Sequence, residues 1–395
     1  MTVRAHKPEF NFREKLKELE RPIGVKGNEL MRAETTQDAR DLVSAGRKNM
    51  IINGAMLISQ RYSTAQSIPS ASQPYFLDRF SNRNNSDGSA SVSHSSEAPD
   101  GFYRSMRIEV TSADTSLASN QYLRFQQYIE GHNLFCDWGV GNTDHLTLSF
   151  WVRSSLPGIY SASLEDGDAI PQYIKEYQII NADTWEHKTL TFPPPPSGTT
   201  FRNAGTSAGM RVTFVQACGS STMTSPNVWT TGGNYYHAST NQVNFLGQTG
   251  NFYITGIQLE VGSNATEFEH RSIGEEIALC QRYFIRMKGS TGAHGTSVGD
   301  GGIATLANWT TSAAYGPIFL GTEMRTPPSL AGFSGVKYFS GGNQTSLSGS
   351  NVVIVGTMSN RVELRLTGLS NLLQGGGGWV RLVSTSDYMD FNAEL

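Results

Sequence analysis

The sequence predicts a mostly β protein with four parts: an N-terminal helical arm, an antiparallel β-sandwich, a linking helix and a smaller C-terminal β-domain. Apolar residues alternate with polar ones in many short stretches, which is the period of half-buried strands. The 41 glycines supply the positive-φ conformations that tight turns need, and only 16% of the residues are charged. A chain of 395 residues is long enough for two or three domains.

Residues 1–49 differ in composition from the rest, with 11 Lys/Arg and 8 Asp/Glu. Asn11 with Glu14 predicts the start of one short helix, and Thr35 with Asp38 predicts the start of a second. Neither helix has enough apolar residues to form a core alone, so the segment is either disordered or folds against a partner. We favour docking. The candidate docking residues are Phe10, Phe12, Leu16, Leu19, Leu42 and Val43.

Residues 50–271 are predicted to form the sandwich. The clearest alternating stretches are 106–110, 146–152 and 253–261. Turn-forming residues cluster between them at 82–89, 166–168 and 193–198. Short strands at these spacings, without amphipathic helices between them, favour an antiparallel sandwich over a parallel α/β sheet.

A helix and a second β-region follow the sandwich. Ser272 and Glu275 predict a capping box, and Ile277, Cys280 and Phe284 continue one apolar face. The predicted linking helix covers 272–288 and the C-terminal β-domain covers 289–395. Strands of this domain are predicted at 352–355, 362–366 and 379–383, with turns at 326–328, 340–343 and the glycine run 375–378.

Charge, targeting signals and cysteines argue against several classes of protein. The net charge of −3 is unlike that of a general nucleic-acid binder, which needs a basic face. No secretory signal peptide is predicted, and no run approaches the roughly 18 apolar residues of a membrane helix. Three widely spaced cysteines match no zinc or redox pattern. We therefore expect synthesis in a cytoplasm, no membrane insertion and no disulfide.

Six stretches of the compact part of the sequence are distinctive: NMIINGAM (49–56), LTLSFWVRS (146–154), TWEHKTL (184–190), YITGIQLEVG (253–262), ATEFEHR (265–271) and CQRY (280–283). Together they resemble tail-fibre and related virion proteins of short-tailed marine bacteriophages. FNFREKL (10–16) and RAET (32–35) in the arm, and FNAEL (391–395) at the end, are also similar to such proteins.

This resemblance implies a homotrimeric fibre subunit located in the virion. Its arm would bind the tail adaptor, the nozzle or another virion protein, and its distal domains would take part in host attachment. It also implies a middle domain similar to the jelly rolls of carbohydrate-binding modules. Two alternatives remain open: a capsid decoration or head-fibre protein, and a polysaccharide-degrading fibre enzyme.

Motifs of enzymes and metal sites are absent from the sequence: it has no His-Glu-x-x-His, no Gly-x-Ser-x-Gly and no Walker loop. Glu267, Glu269 and His270 are neighbours, but solvated side chains explain them more simply than a metal does. Asp166 and Asp168 flank a glycine as in a calcium-binding turn, yet a plain Asx-turn is favoured. We predict a non-enzymatic protein without metal or cofactor.

Exposed aromatic rings are the candidates for contact with host glycan, because the C–H faces of sugars pack on π-systems. Trp229, Tyr235 and Tyr236 stand in the loop-like stretch 224–241, which has little apolar context. We predict that they bind glycan. The alternative, in which these rings pack in the core or between subunits, stays open.

The other tryptophans give a weaker signal. Trp151 and Trp185 belong to strand-like stretches and are predicted to pack in the core or on a sheet. Trp309 and Trp379 in the last domain are not assigned. If host contact is at the distal end, the loops of 289–395 are equally good candidates.

Overall fold

The structure is a computed structural model that describes residues 32, 48–70, 72–134, 138, 144–167, 170–196, 199, 201, 205–232, 236–289 and 301–395. Contacts divide the chain into Met1–Lys48 and a compact unit, Asn49–Leu395. The two predicted arm helices and the docking residues Phe10, Phe12, Leu16, Leu19, Leu42 and Val43 lie outside the described residues.

A two-sheet sandwich forms the first part of the compact unit. Its strands are β1 (Gln66–Ser67), β2 (Tyr75–Leu77), β3 (Phe80–Asn85), β4 (Ser89–Ser95), β5 (Ser105–Ser112), β6 (Tyr122–Glu130), β7 (Leu146–Ser154), β8 (Gly158–Asp166), β9 (Gln172–Ile179), β10 (Glu186–Phe192), β11 (Ala208–Cys218), β12 (Met223–Thr224), β13 (Trp229–Thr230), β14 (Ala238–Ser239) and β15 (Gly250–Val261). Short 3₁₀ turns cover Gly131–Asn133, Ser220–Thr222 and Phe245–Gly247.

The two large sheets have six and seven strands, in the orders β1-β4-β5-β15-β7-β10 and β13-β9-β8-β11-β6-β3-β2. Their strand pairs are antiparallel, and a short parallel pair, β12-β14, lies apart. The predicted antiparallel jelly-roll sandwich is therefore confirmed.

Aromatic side chains from both sheets meet in the sandwich core. Phe150 of β7 lies 5.0 Å from Phe214 of β11, measured between ring centroids, and Phe214 stacks on Phe125 of β6 at 4.9 Å. These three rings are fully buried, as the alternation of apolar and polar residues in their strands predicts.

Two details of the sandwich differ from the sequence prediction. The alternation in 253–261 is not continuous, because a bulge between Thr255 and Gln258 reverses which residues face the core. Gly256 at this bulge has a φ of 63°, which a side chain rarely tolerates. The predicted turn at 82–89 is also too long, since β3 extends to Asn85, and the inward-facing Asn84 donates to the carbonyl of Gly88 at 2.9 Å.

The predicted linking helix is shorter than 272–288. Helix α1 covers Ile273–Gln281, and the Ser272 hydroxyl caps it by accepting from the Glu275 N–H at 3.3 Å. Phe284 does not continue the helix. It begins strand β16 (Phe284–Lys288). Residues 284–288 are extended because they pair with the last strand of the chain, Tyr388–Asn392, and β16 therefore belongs to a sheet of the C-terminal domain.

The C-terminal domain also has two sheets. Its further strands are β17 (Gly301–Asn308), β18 (Ala314–Phe319), β19 (Ser329–Ser334), β20 (Val336–Ser340), β21 (Asn343–Ser346), β22 (Val352–Met358), β23 (Arg361–Leu366), β24 (Gly377–Leu382) and β25 (Tyr388–Asn392). The sheet orders are β16-β25-β19 and β21-β20-β24-β17-β18-β23-β22. The three strands predicted here are confirmed, but Gly377 and Gly378 begin β24 and are not part of the predicted turn.

The last residues of the chain join the two β-regions. The buried Glu394 carboxylate pairs with Arg79, in the turn between β2 and β3, and with Arg61 at 3.1 Å. The Arg79 guanidinium also lies 3.5 Å from the centroid of the Tyr283 ring. Arg325 donates to the carbonyl oxygens of residues 206, 393 and 394. We call these contacts of Glu394 and Arg325 the C-terminal clasp. They link the sandwich to the C-terminal domain.

Candidate functional site

A groove opens on the seven-stranded sheet of the C-terminal domain, beside the outward-facing ring of Trp379. Its volume is ≈ 520 Å³. Residues that line it include Thr305, Phe339, Asn343, Trp379 and Arg381, together with glycines at 341, 342, 377 and 378. We call it the Trp379 groove.

Strand register places the central side chains of the groove in one row. Phe339 on β20 is the cross-strand partner of Trp379 on β24, and Trp379 is in turn the partner of Thr305 on β17. The intervening residues, Tyr338 and Val380, point into the core. Because side chains alternate between the faces of a strand, the row is presented to solvent.

Trp379 is 51% exposed, which is unusual for so large an apolar ring. It separates the main groove from a second one of ≈ 460 Å³, lined by residues 302–305 and Arg381. The Arg381 guanidinium lies 4.8 Å from the Trp379 ring centroid and 4.6 Å from that of Phe339. These cation–π contacts hold the two rings in place while part of the indole surface stays open.

Glycines shape the walls of the groove. Gly341 and Gly342, at the tip of the β20–β21 hairpin, have φ angles of 56° and 83°, as a two-residue type I′ turn requires. This turn sets Asn343 at the rim. Gly378 has no room for a side chain, since a Cβ there would lie 2.5 Å from the carbonyl oxygen of Phe339.

Hydrogen bonds fix the base of the groove. The Tyr338 hydroxyl donates to the buried Asn308 side chain at 2.6 Å, and the Asn308 amide donates to the Ser340 hydroxyl at 3.0 Å. The Ser340 hydroxyl donates to the carbonyl of Gly377 at 3.0 Å. Burial raises the pKa of Tyr338, so its phenol stays protonated and keeps donating.

This arrangement combines a flat apolar ring with an amide, hydroxyls and a guanidinium around an open groove. Such a surface can pack the C–H face of a pyranose on the ring and hydrogen-bond its hydroxyls at the edges. Among the described residues, no group of three His, Cys, Asp or Glu side chains is placed to hold a metal ion. No helix in the described part of the chain is long and apolar enough to cross a membrane.

Trp309 is the other strongly exposed tryptophan of this domain, at 69%. Its ring contacts Tyr315 at 6.0 Å between centroids, but it lines neither groove around Trp379. Trp309 is therefore an exposed tryptophan outside both grooves, and its substitution is a suitable control for substitution of Trp379.

The glycan residues predicted from the sequence lie elsewhere. Trp229 is half-buried in an aromatic cluster, with its ring 5.1 Å from Tyr173 and 5.3 Å from Trp138, and its indole N–H donates to the carbonyl of Pro194 at 3.1 Å. The structure places Tyr236 beside the seven-stranded sandwich sheet, and Tyr235 lies outside the described residues. Glycan contact by these three residues stays a prediction.

Trp151 and Trp185 do not belong to the sandwich core. Trp151 faces away from it on β7, 5.2 Å from the ring of His187, and Trp185 lies 6.1 Å from Tyr253 on the same outer surface. They pack on a sheet, which is one of the two placements predicted for them. Side chains alternate between the two faces of a strand, and Phe150 and Val152 of β7 point inward, so Trp151 between them points outward.

The acidic residues considered as metal ligands have protein partners. Glu269 accepts hydrogen bonds from the Asn49 N–H at 2.7 Å and from Arg271 at 2.9 Å. Asp166 accepts from the N–H of Gly167 at 2.8 Å, while Asp168 lies outside the described residues.

Phe339, Arg381 and Thr305 are not among the site residues predicted from the sequence, and Trp379 has no role assigned there. A signal was present, because in β20 and β24 the aromatic and charged residues occupy the positions that alternate with Tyr338, Val380 and the other core residues. Alternation of this kind predicts that Phe339 and Trp379 lie on the outer face of the sheet, away from the core.

No protein-family profile and no curated protein matches the chain. Solved structures similar to it include the enzymatically active domain of bacteriophage CBA120 tailspike protein 4, with 14% identity, a TM-score of 0.28 and coverage of 54% of this chain and 21% of that one. The chain thus spans about a fifth of the length of that tailspike domain.

Two carbohydrate-binding modules are also similar. One belongs to family 4, with 14% identity, a TM-score of 0.25 and coverage of 53% of this chain and 97% of that one. The other is a family 61 module in complex with β-1,4-galactotriose, with 9% identity, a TM-score of 0.26 and coverage of 54% and 98%. At these scores, nothing about the ligand of this chain follows from the likeness.

Proposed function

We propose that this chain is a non-enzymatic, glycan-binding attachment subunit of a phage virion, most simply a tail fibre. The Trp379 groove binds host-surface sugar, and residues 1–49 hold the subunit on the particle. The sequence resemblance supports the virion role and the homotrimer that it implies.

The observation that carries the glycan part is the half-exposed Trp379 ring, stacked on Arg381 and standing between two grooves. An exposed tryptophan that is held rigid by a neighbour loses little freedom on binding. Thr305 on the neighbouring strand and Arg381 against the ring offer a hydroxyl and a guanidinium for hydrogen bonds with sugar hydroxyls.

A single shallow groove of this kind binds weakly, so attachment depends on many copies. Linking several sites on one particle raises avidity by roughly 10²–10⁴ without any new contact. The proposal therefore expects weak binding by the isolated chain and strong binding by an array of chains.

The test is binding of the full chain to a library of bacterial surface polysaccharides, with the best ligand titrated against Trp379→Ala. Loss of a central tryptophan costs about 2 kcal/mol, or roughly 30-fold in Kd. The matched control is Trp309→Ala, which removes an equally large exposed ring outside the groove and should leave Kd unchanged.

Two outcomes would contradict the proposal. If both tryptophan variants bind like the wild type, the sugar site is elsewhere. Glycosidic cleavage needs paired carboxylates, and the lining of the Trp379 groove contains none, so no cleavage is expected. If the bound polysaccharide releases new reducing ends over time, the chain is a depolymerase and not a purely binding protein.

A further inference from the structure

The charged side chain at the Trp379 groove is cationic. Arg381 lines this groove and also the second groove on the other side of the Trp379 ring. Among the described residues, neither lining contains an aspartate or a glutamate. The whole chain carries a net charge of −3, so this positive surface is not the average of the sequence.

Strand register places a second cation directly beside Arg381. Lys337 on β20 is the cross-strand partner of Arg381 on β24, and it lies on the same face of its strand as Phe339. Directly opposed side chains have Cβ atoms about 4.5–5.5 Å apart, and like charges in such a pair destabilise a sheet. The fold therefore keeps two positive charges together next to an exposed tryptophan, although an isolated sheet is less stable with them.

Protein groups do not neutralise this pair in full. In the described part of the chain, Lys337 takes part in no ion pair. Burial alone would raise the pKa of Asp387, but hydrogen bonds from the N–H groups of Ser384 and Val383, together with the charge of Lys337, lower it. Both N–H groups donate to this carboxylate at 2.8 Å. Lys337 and Arg381 are thus two cations with one backbone-bound carboxylate near them.

The two grooves beside Trp379 differ in the surface that they expose. The first, of ≈ 520 Å³, is lined by the rings of Phe339 and Trp379 and exposes more apolar than polar surface. The second, of ≈ 460 Å³, exposes mostly polar surface, and Arg381 is the one charged residue among the described residues that line it. A sugar packed on Trp379 therefore has a polar, positively charged space beside it.

Charge on the rest of this sheet face has the same sign. On β23 the core residues alternate with Arg361, Glu363 and Arg365, so these three side chains lie on the outer face. Together with Lys337 and Arg381, the strands of this face present four cations and one carboxylate. A polyanion that extends from the groove across the sheet meets a positive potential.

We propose that the Trp379 groove binds an acidic polysaccharide. A carboxylate or sulfate of the glycan lies between Lys337 and Arg381 while a sugar ring packs on Trp379. A guanidinium can donate two parallel hydrogen bonds to such a group, and the ammonium of Lys337 adds a further charged donor. This inference rests on the proposed function, because it names the class of glycan that the same site takes.

The experiment titrates the full chain with the library of bacterial surface polysaccharides, and then with the best ligand after its anionic groups are removed. Carbodiimide activation followed by borohydride converts carboxylates to alcohols, and solvolysis removes sulfate. We expect the best ligand to be acidic and its Kd to rise at least tenfold after this treatment, because charge-assisted hydrogen bonds are lost. Added salt should weaken binding of the intact ligand.

Substitution of Lys337 tests where the anion lies. Lys337→Gln should raise Kd for the intact ligand about fivefold and leave Kd for the neutral derivative unchanged, whereas Lys337→Arg keeps the charge and should bind like the wild type. Lys337→Gln removes a like-charge pair, so it should not lower Tm. The matched control is Arg104→Gln, which removes one positive charge from an exposed position on the sandwich and should change neither Kd.

The outcomes separate this inference from the proposed function. The inference is overturned if the best ligand is neutral, if the anion-free derivative binds as tightly as the intact ligand, or if Lys337→Gln binds the acidic ligand like the wild type. In each of these cases the proposed function stands as long as Trp379→Ala weakens binding. If no polysaccharide binds, or if Trp379→Ala binds like the wild type, both fail.

Discussion

Replacing Glu394 by alanine should weaken the link between the sandwich and the C-terminal domain. The carboxylate and the Arg79 side chain are 3% and 1% exposed, so the change leaves a buried guanidinium without its counter-charge. Removing one partner of a buried pair costs about 3–5 kcal/mol. For a unit of about 350 residues, an unfolding entropy of ~2.1 cal/mol/K per residue converts this to a loss of roughly 4–7 °C in Tm.

Differential scanning calorimetry of the full chain measures this loss directly. The matched control is Glu109→Ala, which breaks the Arg107–Glu109 pair, 31% and 40% exposed, and should cost less than about 1 kcal/mol. If Glu394→Ala lowers Tm no more than Glu109→Ala does, the C-terminal clasp contributes nothing and the two β-regions are held together by other contacts.

Two further outcomes follow from the contacts described. Gly378→Ala should destabilise the C-terminal domain by about 1–3 kcal/mol in urea unfolding, since the new methyl overlaps the Phe339 carbonyl, whereas Gly349→Ala meets nothing within 4 Å and should be neutral. Burial alone would raise the pKa of Glu130, but hydrogen bonds from Arg282 and Tyr283 outweigh it and lower the pKa below the ordinary 4.5. The stabilisation by the Glu130 carboxylate is present above the ordinary pKa and is lost as the pH falls through the lowered value. Acid should therefore reduce the unfolding free energy of the wild type more than that of Glu130→Gln. Equal acid sensitivity of the two proteins would contradict this.

The architecture could be predicted from the sequence because it depends on local patterns. The alternation in β5 and β7 and the capping of α1 by Ser272 are read within a few residues, and the structure confirms them. The end of α1 could not be predicted in this way. Phe284 continues the helical spacing, but pairing of β16 with β25, about a hundred residues later, converts it into a strand.

The candidate site was harder to predict for the same reason. Phe339, Trp379 and Thr305 become neighbours only through the register of three strands that are distant in sequence. Trp229 was favoured because its surroundings are polar in sequence, yet its ring packs against Trp138 and Tyr173. Loop-like composition predicted exposure, and long-range packing overrode it.

A crystal structure of the chain soaked with its best-binding oligosaccharide is the most direct test of glycan recognition. We predict a sugar ring stacked on the exposed face of Trp379, with hydroxyls hydrogen-bonded to the side chains of Thr305 and Arg381. A sugar bound on the sandwich beside Trp229, with the Trp379 groove holding only solvent, would contradict the assignment of the site.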